Sequence, residues 1–322
     1  MTFYIDPYNR NQILFYQCDG KPFIKNKIIK PEKYEKTIDN ISMIIEKYDF
    51  LTPFKNYILN NIFNNKKKTS IMGILNATPD SFFPGSRVNE KNIYNMLDEK
   101  PDIIDLGGES TRPGSIEIDP ETEIKRLEPV LDILKSYDIK ISIDTRHYNV
   151  IESILKKYEI DYINDISGFI DKRMIQIAKE YKKGCIVMHM RGEPQNMNKF
   201  TDYDDIFFEI NTFFFDRIKS MLNSGIEPEN IIIDPGIGFS KTAEQNIELI
   251  KSPWSFLFGF NLLYGTSRKS FIGKFTKTDV NKRLGGTIAT SIYLAMNGVD
   301  ILRVHDVIEN RSAIDIYKML VT

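Results

Sequence analysis

The stretch Ile231–Thr242 reads I-I-I-D-P-G-I-G-F-S-K-T. Three β-branched residues in a row predict a short strand that is apolar on both faces, and an aspartate ends it. Such strands belong to parallel sheets covered by helices. The same design recurs at Ser70–Leu75, Ile103–Leu106, Ile139–Asp144, Tyr162–Asp165, Cys185–His189, Leu262–Gly265 and Ile301–Val304, which makes eight strands with Ile231–Asp234. Amphipathic stretches lie between them. In Glu121–Ser136, for example, Ile124, Leu127, Leu131 and Leu134 recur at helical spacing. Eight alternating units over roughly 250 residues predict a (β/α)8 barrel, the TIM-barrel class of α/β fold. A doubly wound open sheet is the alternative. The strand ends favour the barrel, because each runs into polar or glycine-rich residues such as N-A-T-P-D-S (76–81), D-T-R-H (144–147) and R-V-H-D (303–306). A barrel gathers all eight C-terminal ends on one face, where sites are built. An open sheet would use only the ends at its switch point.

The end of the opening stretch has a second reading, a phosphate-binding loop finishing in Lys241-Thr242. Such a loop needs two glycines at fixed spacing, the second touching the lysine. Pro235 and Ser240 occupy those places, and proline has no N–H to offer. Asp234 would also meet an anion with an anion. The phosphate-loop reading fails, and an aspartate at the end of a buried strand needs another explanation.

Composition narrows the class. The chain has 322 residues, 42% hydrophobic, with a mean hydropathy of −0.30 and a net charge of −1. No apolar run approaches the ~18 residues of a membrane span. The beginning of the chain carries Asp6 and no apolar core of a signal peptide, so a reducing, cytoplasmic location is expected. Cys18 and Cys185 are the only cysteines, too few for a disulfide framework or a cysteine-type zinc site. The balanced charge gives no electrostatic reason to expect nucleic acid as a partner. Residues 1–66 stand outside the repeat, and the barrel is assigned to 67–322. In the extension, Gln12–Cys18 and Phe23–Ile29 flank a hairpin turn at Asp19-Gly20. Ile38, Ile41, Ile45 and Tyr48 mark one helix, and Phe54–Phe63 a second. Lys66-Lys67-Lys68 is a solvated linker. The extension is read as a packing or oligomer contact without chemistry.

Asp144, Asn164 and Asp234 end three different strands and would converge in the barrel mouth. A carboxylate accepts two N–H bonds side by side, so the set suits a flat nitrogen-rich ring with donor edges. Taken singly, each has the alternative of capping a helix or bonding a loop. Lys269 could neutralise an anion, bond a carbonyl or, if desolvated, form a Schiff base. The N–H groups of Ser270 and Phe271 would begin a helix and seat a carboxylate or phosphate. Arg303 and His305 alternate along the last strand, a positive pair suited to phosphate or pyrophosphate, or else an arginine held by Asp306. Asn76 offers a neutral oxygen, which suits Mg2+ with phosphate and water as its other ligands. Pro79–Arg87 and Ser110–Ser115 are candidate lids. His189 reads equally well as a core histidine, His147 is expected to face solvent, and three scattered histidines form no convincing metal cluster.

Taken together, the strand-end motifs resemble the dihydropteroate synthases, pterin-binding enzymes of folate biosynthesis and sulfonamide targets. The matching pieces are MGILNATPDSF (72–82), DLGGESTRPGS (105–115), ISIDT (141–145) and INDISG (163–168). VMHMRGEPQNM (187–197), DPGIGFSKT (234–242), GTSRKSFIGK (265–274) and LRVHDV (302–307) continue in the family's order. The resemblance implies a transferase that condenses 6-hydroxymethyl-7,8-dihydropterin pyrophosphate with p-aminobenzoate, giving 7,8-dihydropteroate and pyrophosphate with Mg2+. It implies that Asp144, Asn164, Asp234, Met188 and Lys269 hold the pterin. Asn76, Arg303 and His305 would face pyrophosphate and metal, with Asn76 the metal ligand. Thr111, Arg112 and Pro113 would close over the reacting centre, and Phe239 and Ser270 would lie on the p-aminobenzoate side. Lys269, Arg303, His305 and Arg112 are the residues expected to act in catalysis. A homodimer is also implied.

Two departures stand out. The first loop reads Phe83-Pro84-Gly85-Ser86 where the family has an acidic tip, although Asp80 remains. Ser240 replaces a glycine before Lys-Thr, with little effect expected. A non-catalytic pterin-binding paralogue and a methyltetrahydrofolate-dependent methyltransferase are the alternatives. The methyltransferase substrate carries no pyrophosphate and would have no use for the S-R-K-S and R-V-H-D motifs.

Overall fold

The computed structural model describes residues 2–5, 13–17, 24–29, 49–63, 68–77, 87–110, 114–256 and 259–321. Strands β1 (Thr2–Ile5), β2 (Ile13–Gln17) and β3 (Ile24–Ile29) pair antiparallel in a three-stranded sheet. Helix α1 covers Lys55–Phe63. The expected turn at Asp19-Gly20, the helix carrying Ile38, Ile41, Ile45 and Tyr48, and Lys66-Lys67 lie outside the described residues.

Eight parallel strands then close on themselves: β4 (Ser70–Asn76), β5 (Ile103–Gly107), β6 (Lys140–Asp144), β7 (Tyr162–Asp165), β8 (Gly184–Met188), β9 (Ile231–Asp234), β10 (Asn261–Tyr264) and β11 (Ile301–Val304). The last strand pairs with the first, Leu302 opposite Ile71. That closure excludes the open sheet. Helices α2 (Arg87–Asp98), α3 (Pro120–Leu134), α4 (Tyr148–Leu155), α5 (Lys172–Glu180), α6 (Ile206–Asn223) and α7 (Ala243–Lys251) follow successive strands. The circuit ends with α8 (Ser270–Thr276), α9 (Leu284–Met296) and α10 (Val307–Val321). Helix α3 begins before the periodic residues do, because Asp119 accepts the Thr122 N–H at 2.9 Å and Pro120 takes the first turn. Thr242 caps α7 reciprocally with Gln245, a structural task for the threonine of the would-be phosphate loop.

The period of two along each strand decides what meets what. Outward residues such as Ile71, Ile104, Ile143, Ile163, Val187 and Ile233 pack under the helices in the main core. Inward residues Met72, Ile103, Ile186, Ile232, Leu263 and Ile301 form a separate apolar plug inside the barrel. Continuing that inward phase to the C-terminal end of each strand reaches Asn76, Asp105, Asp144, Asn164, Met188, Asp234 and Arg303. At the opposite end, three aspartates tie strands together. Ile71 donates its N–H to Asp102 at 2.7 Å, Ile141 to Asp161 at 2.8 Å and Leu262 to Asp300 at 2.8 Å.

Candidate active site

The converging aspartates and asparagine are held in a network. Asn164 donates its amide to both oxygens of Asp105, at 3.3 and 3.2 Å. Arg303 reaches across the mouth, its Nε 2.5 Å from Asp105 and its Nη2 2.6 Å from Asp144. The other oxygen of Asp144 is buried and accepts no hydrogen bond among the described residues. Asp234 accepts the Gly236 N–H at 2.8 Å. Gly236 is required here: its φ is +69°, and a Cβ would stand 2.1 Å from the His189 carbonyl oxygen. Burial pushes the pKa of both Asp144 and Asp234 upward, opposed by Arg303 at Asp144 and by the Gly236 N–H at Asp234. Burial works against the charge on Arg303, yet Asp105 and Asp144 hold its pKa above the ordinary value.

One wall of the cleft is apolar. Ile166, Met188, Met197 and Phe239 form a small buried cluster. Lys269 lies over the Phe239 ring, 4.2 Å from its centre, and donates to the Ile237 carbonyl at 2.7 Å. Burial, then Arg303, brings the Lys269 pKa down to about 8, against Asp234 and Asp144. The cleft is lined by Asp144, Asn164, Asp234 and Arg303 together with Met188, Phe239 and Lys269. A carboxylate-rich edge, one apolar wall and a lysine lying over that wall make a site suited to a planar heterocycle. Ser270 opens the seven-residue helix α8 beside Lys269, its side chain exposed.

Several expectations are corrected. Arg303 and His305 are not a free positive pair. Arg303 is shared between two carboxylates, and it is Arg268 that binds Asp306, at 2.9 and 2.6 Å. His305 bonds Ser267 through Nδ1 at 3.0 Å. Part of its ring faces solvent, yet burial at the strand end and Arg303 push its pKa down to about 4, so it is neutral at neutral pH. Ser240 takes a structural place in its loop. Fully buried at φ +49°, it accepts the Arg191 N–H at 2.9 Å and donates to the Phe239 carbonyl at 2.8 Å. His147 does not face solvent: it is 17% exposed and meets Glu109 at 3.5 Å. His189 is buried, with Lys241 3.1 Å from its Nδ1. That lysine, also buried, donates to the Phe239 carbonyl at 2.9 Å, and burial pushes its pKa well down. Lys241 is therefore a loop staple with no phosphate to hold.

Asn76 ends β4 paired with Gly107, half-buried, its side chain without a hydrogen bond among the described residues. Thr111, Arg112 and Pro113 lie outside the described residues, as do Asp80 and Phe83-Pro84-Gly85-Ser86. Sequence reasoning missed Asp105. Its signal was available, since it sits in the same inward phase of β5 as Ile103, between the plug and the glycines.

The comparisons with known proteins converge. Residues 72–305 match the model of the pterin binding enzyme family. The dihydropteroate synthase of Synechocystis is 43% identical over 255 residues, covering 76% of this chain and 88% of that protein. That of Clostridium beijerinckii is 41% identical over 260 residues, 78% of this chain and 94% of that protein. The crystal structure of a Clostridium difficile dihydropteroate synthase in the presence of pteroic acid superposes with a TM-score of 0.73 at 42% identity, covering 79% of this chain and 97% of that one.

Proposed function

Since the chain belongs to the pterin-binding enzyme family and carries the dihydropteroate synthase function of its relatives, a transferase activity, we propose how its barrel mouth performs that reaction. The observation that carries the reading is the convergence of Asp144, Asn164, Asp234 and Lys269 on a cleft whose apolar wall holds Met188 and Phe239. Asp144 and Asp234 accept from the donor edge of the dihydropterin, and Asn164 is oriented for it by Asp105. Lys269, protonated below about pH 8, turns from the Ile237 carbonyl to an acceptor on the ring. Met188 and Phe239 form the apolar wall beside it.

The leaving group is pyrophosphate. The bond from the pterin methylene carbon to its oxygen breaks, and the electron pair leaves on that oxygen. Arg303 steadies the charge that builds there, while neutral His305 offers a hydrogen bond rather than a second charge. The electron-rich ring delocalises the positive charge left on the methylene. The aniline nitrogen of p-aminobenzoate then forms the C–N bond and sheds a proton, with no strong protein base needed. Phe239 and Ser270 lie on that side, and Thr111, Arg112 and Pro113 are assigned to closing the site against water.

Asn76 fits Mg2+, because a single uncommitted neutral oxygen at the mouth suits a cation that takes its remaining ligands from water and phosphate. Bound there, Mg2+ would neutralise pyrophosphate charge. A homodimer is supported by apolar residues left exposed on α10, namely Ile308, Ile316, Met319 and Leu320. Sedimentation velocity tests it. Among the described residues no helix is long and apolar enough to cross a membrane. A cytoplasmic location and sulfonamide inhibition belong to the same reading, and residues 1–66 are assigned a packing role.

The test is pyrophosphate release from the pterin pyrophosphate, in Mg2+, with and without p-aminobenzoate. Release that requires p-aminobenzoate and collapses in Lys269→Ala is expected. Tight pterin binding without release would mean a binding protein on a synthase barrel.

A further inference from the structure

Where the segments after β5 and β6 meet α3, a cluster of side chains has formed that the reaction does not use. Glu109, Glu123 and His147 offer one ligand atom each, all within 4.8 Å of one another. Glu123 is wholly buried, neither of its oxygens has a partner in hydrogen-bond geometry among the described residues, and burial pushes its pKa up to about 7 against the nearby Thr145 hydroxyl. Gly108 packs against its stem, where a Cβ would stand 2.7 Å from the Glu123 Cγ. His147 Nε2 is buried without a hydrogen bond, 3.5 Å from a Glu109 oxygen. None of the three lines the pterin cleft.

A buried carboxylate with no donor is costly, and a cation removes that cost. The surrounding charge favours one. Arg146 is spread over the outer acids, 3.2 Å from Glu117, 3.5 Å from Glu109 and 4.0 Å from Glu193, which leaves four carboxyl groups against one guanidinium and the His147 imidazole that Glu109 draws toward its charged form. An ion of the hard oxygen-seeking class would gain little from an imidazole; a borderline cation takes imidazole and carboxylate together. Tetrahedral Zn2+ with bonds of about 2.0–2.2 Å holds its ligand atoms about 3.3–3.6 Å apart. The 3.5 Å between His147 and Glu109 already matches that spacing, and no pair needs to close by more than roughly 1 Å. Glu117 and Glu193, half-exposed, leave the approach open.

We propose that Glu109, Glu123 and His147 form a second metal site, apart from the Mg2+ position at Asn76, that takes a first-row divalent transition cation, with Zn2+ the best match and water as its fourth ligand. Two carboxylates and a neutral imidazole balance the dication. The ion would fasten Glu109 to α3 and to the end of β6, and Glu109 stands two residues before Thr111. It steadies the base of the loop expected to close over the reaction.

Tag-free protein stripped of metal is titrated with Zn2+ by calorimetry, in excess Mg2+ and without substrate. One equivalent is expected to bind and to raise Tm. His147→Ala and Glu109→Gln are each expected to weaken binding at least about tenfold, and Asn76→Ala to leave it unchanged. No uptake, uptake indifferent to His147, or uptake lost with Asn76 overturns the site. Should the variants fail to fold, X-ray absorption of Zn2+ on the wild-type protein decides. One imidazole nitrogen among oxygens supports the site, and a shell of oxygens alone, or of several imidazoles, overturns it.

Discussion

The two ends of the barrel both carry aspartates, and they are spent differently. At the N-terminal end, Asp102, Asp161 and Asp300 each stand immediately before a strand and accept the backbone N–H of a neighbouring strand. At the C-terminal end, Asp105, Asp144 and Asp234 point inward from strands, toward Arg303, Asn164 and each other. The first set is satisfied by the fold itself. The second holds an oxygen of Asp144 without a partner in a buried place, and burial raises the pKa of Asp144 and Asp234. Aspartates that build a barrel quench their charge on backbone amides, and aspartates that serve a ligand keep acceptor capacity in reserve.

Exchanging the roles should break this contrast most sharply at Asp234. Asp234→Ala is expected to lower kcat/KM about 100-fold or more, since charge-assisted hydrogen bonds to a donor edge are worth roughly 1.5–3 kcal/mol each. Some stability should be lost as well, about 1–3 kcal/mol, because the buried Gly236 N–H loses its acceptor, so the contrast is read in the kinetics. Steady-state kinetics beside calorimetry reads both; a large fall in Tm with unchanged kinetics would place Asp234 with the structural set.

Lys269 gives a smaller effect with a pH signature. Its pKa of about 8 means that it loses its proton within the working range. A proton donated to the ring is present below pH 8 and lost above it, so kcat/KM should fall on the alkaline side with an apparent pKa near 8. Lys269→Arg should move that limb upward, and Lys269→Met should remove it with a loss of roughly 10–100-fold. Linkage runs in the same window. The folded pKa lies below the ordinary 10.5, so the unfolded chain binds more protons between about 8 and 10.5, and stability rises with pH there.

The contrast also explains what was legible in the sequence. Apolar strands at regular intervals gave the barrel, with boundaries such as Tyr162–Asp165 and Ile301–Val304 read to the residue. Inward phase and strand-end position likewise placed Asp144, Asn164 and Asp234 in one cleft. Partner choice was not legible. Arg303 was expected to serve an anion with His305, but which carboxylate an arginine finds depends on barrel closure, which brings Asp105 to it from 198 residues away. Arg268 took Asp306 instead. His147 was expected to face solvent after the strand's end, and Glu123 was not singled out at all. Glu123 lies four residues before Leu127 and therefore on the same buried face, a signal that helical spacing could have supplied.

Asp161→Ala tests the other end of the barrel. The buried Ile141 N–H loses its acceptor, and a cost of about 1–3 kcal/mol is expected. Thermal unfolding should register that loss while kcat/KM stays within about twofold, because Asp161 stands at the opposite end of the barrel from the cleft. A fall in kcat/KM of tenfold or more in protein that remains folded would mean that strand register at the bottom is transmitted to the site, and that the two ends are not independent.

The smallest effect belongs to Ser240, which sharpens the comparison from inside the catalytic end. Its loop lies beside Asp234 and Phe239, yet its hydroxyl is spent on Arg191 and the Phe239 carbonyl as fully as the bottom aspartates are spent on strands. A serine at φ +49° carries strain that glycine would not. Ser240→Gly therefore relieves roughly 1 kcal/mol of backbone cost and removes two hydrogen bonds of about that size each. The net loss of stability should be about 1 kcal/mol or less, with kcat/KM lowered no more than about threefold through a looser Phe239. Thermal melts and p-aminobenzoate KM measured together check it. A KM that rises tenfold with Tm unchanged would mean that Ser240 tunes the cleft wall directly, and that satisfaction by the fold does not by itself remove a residue from the working face.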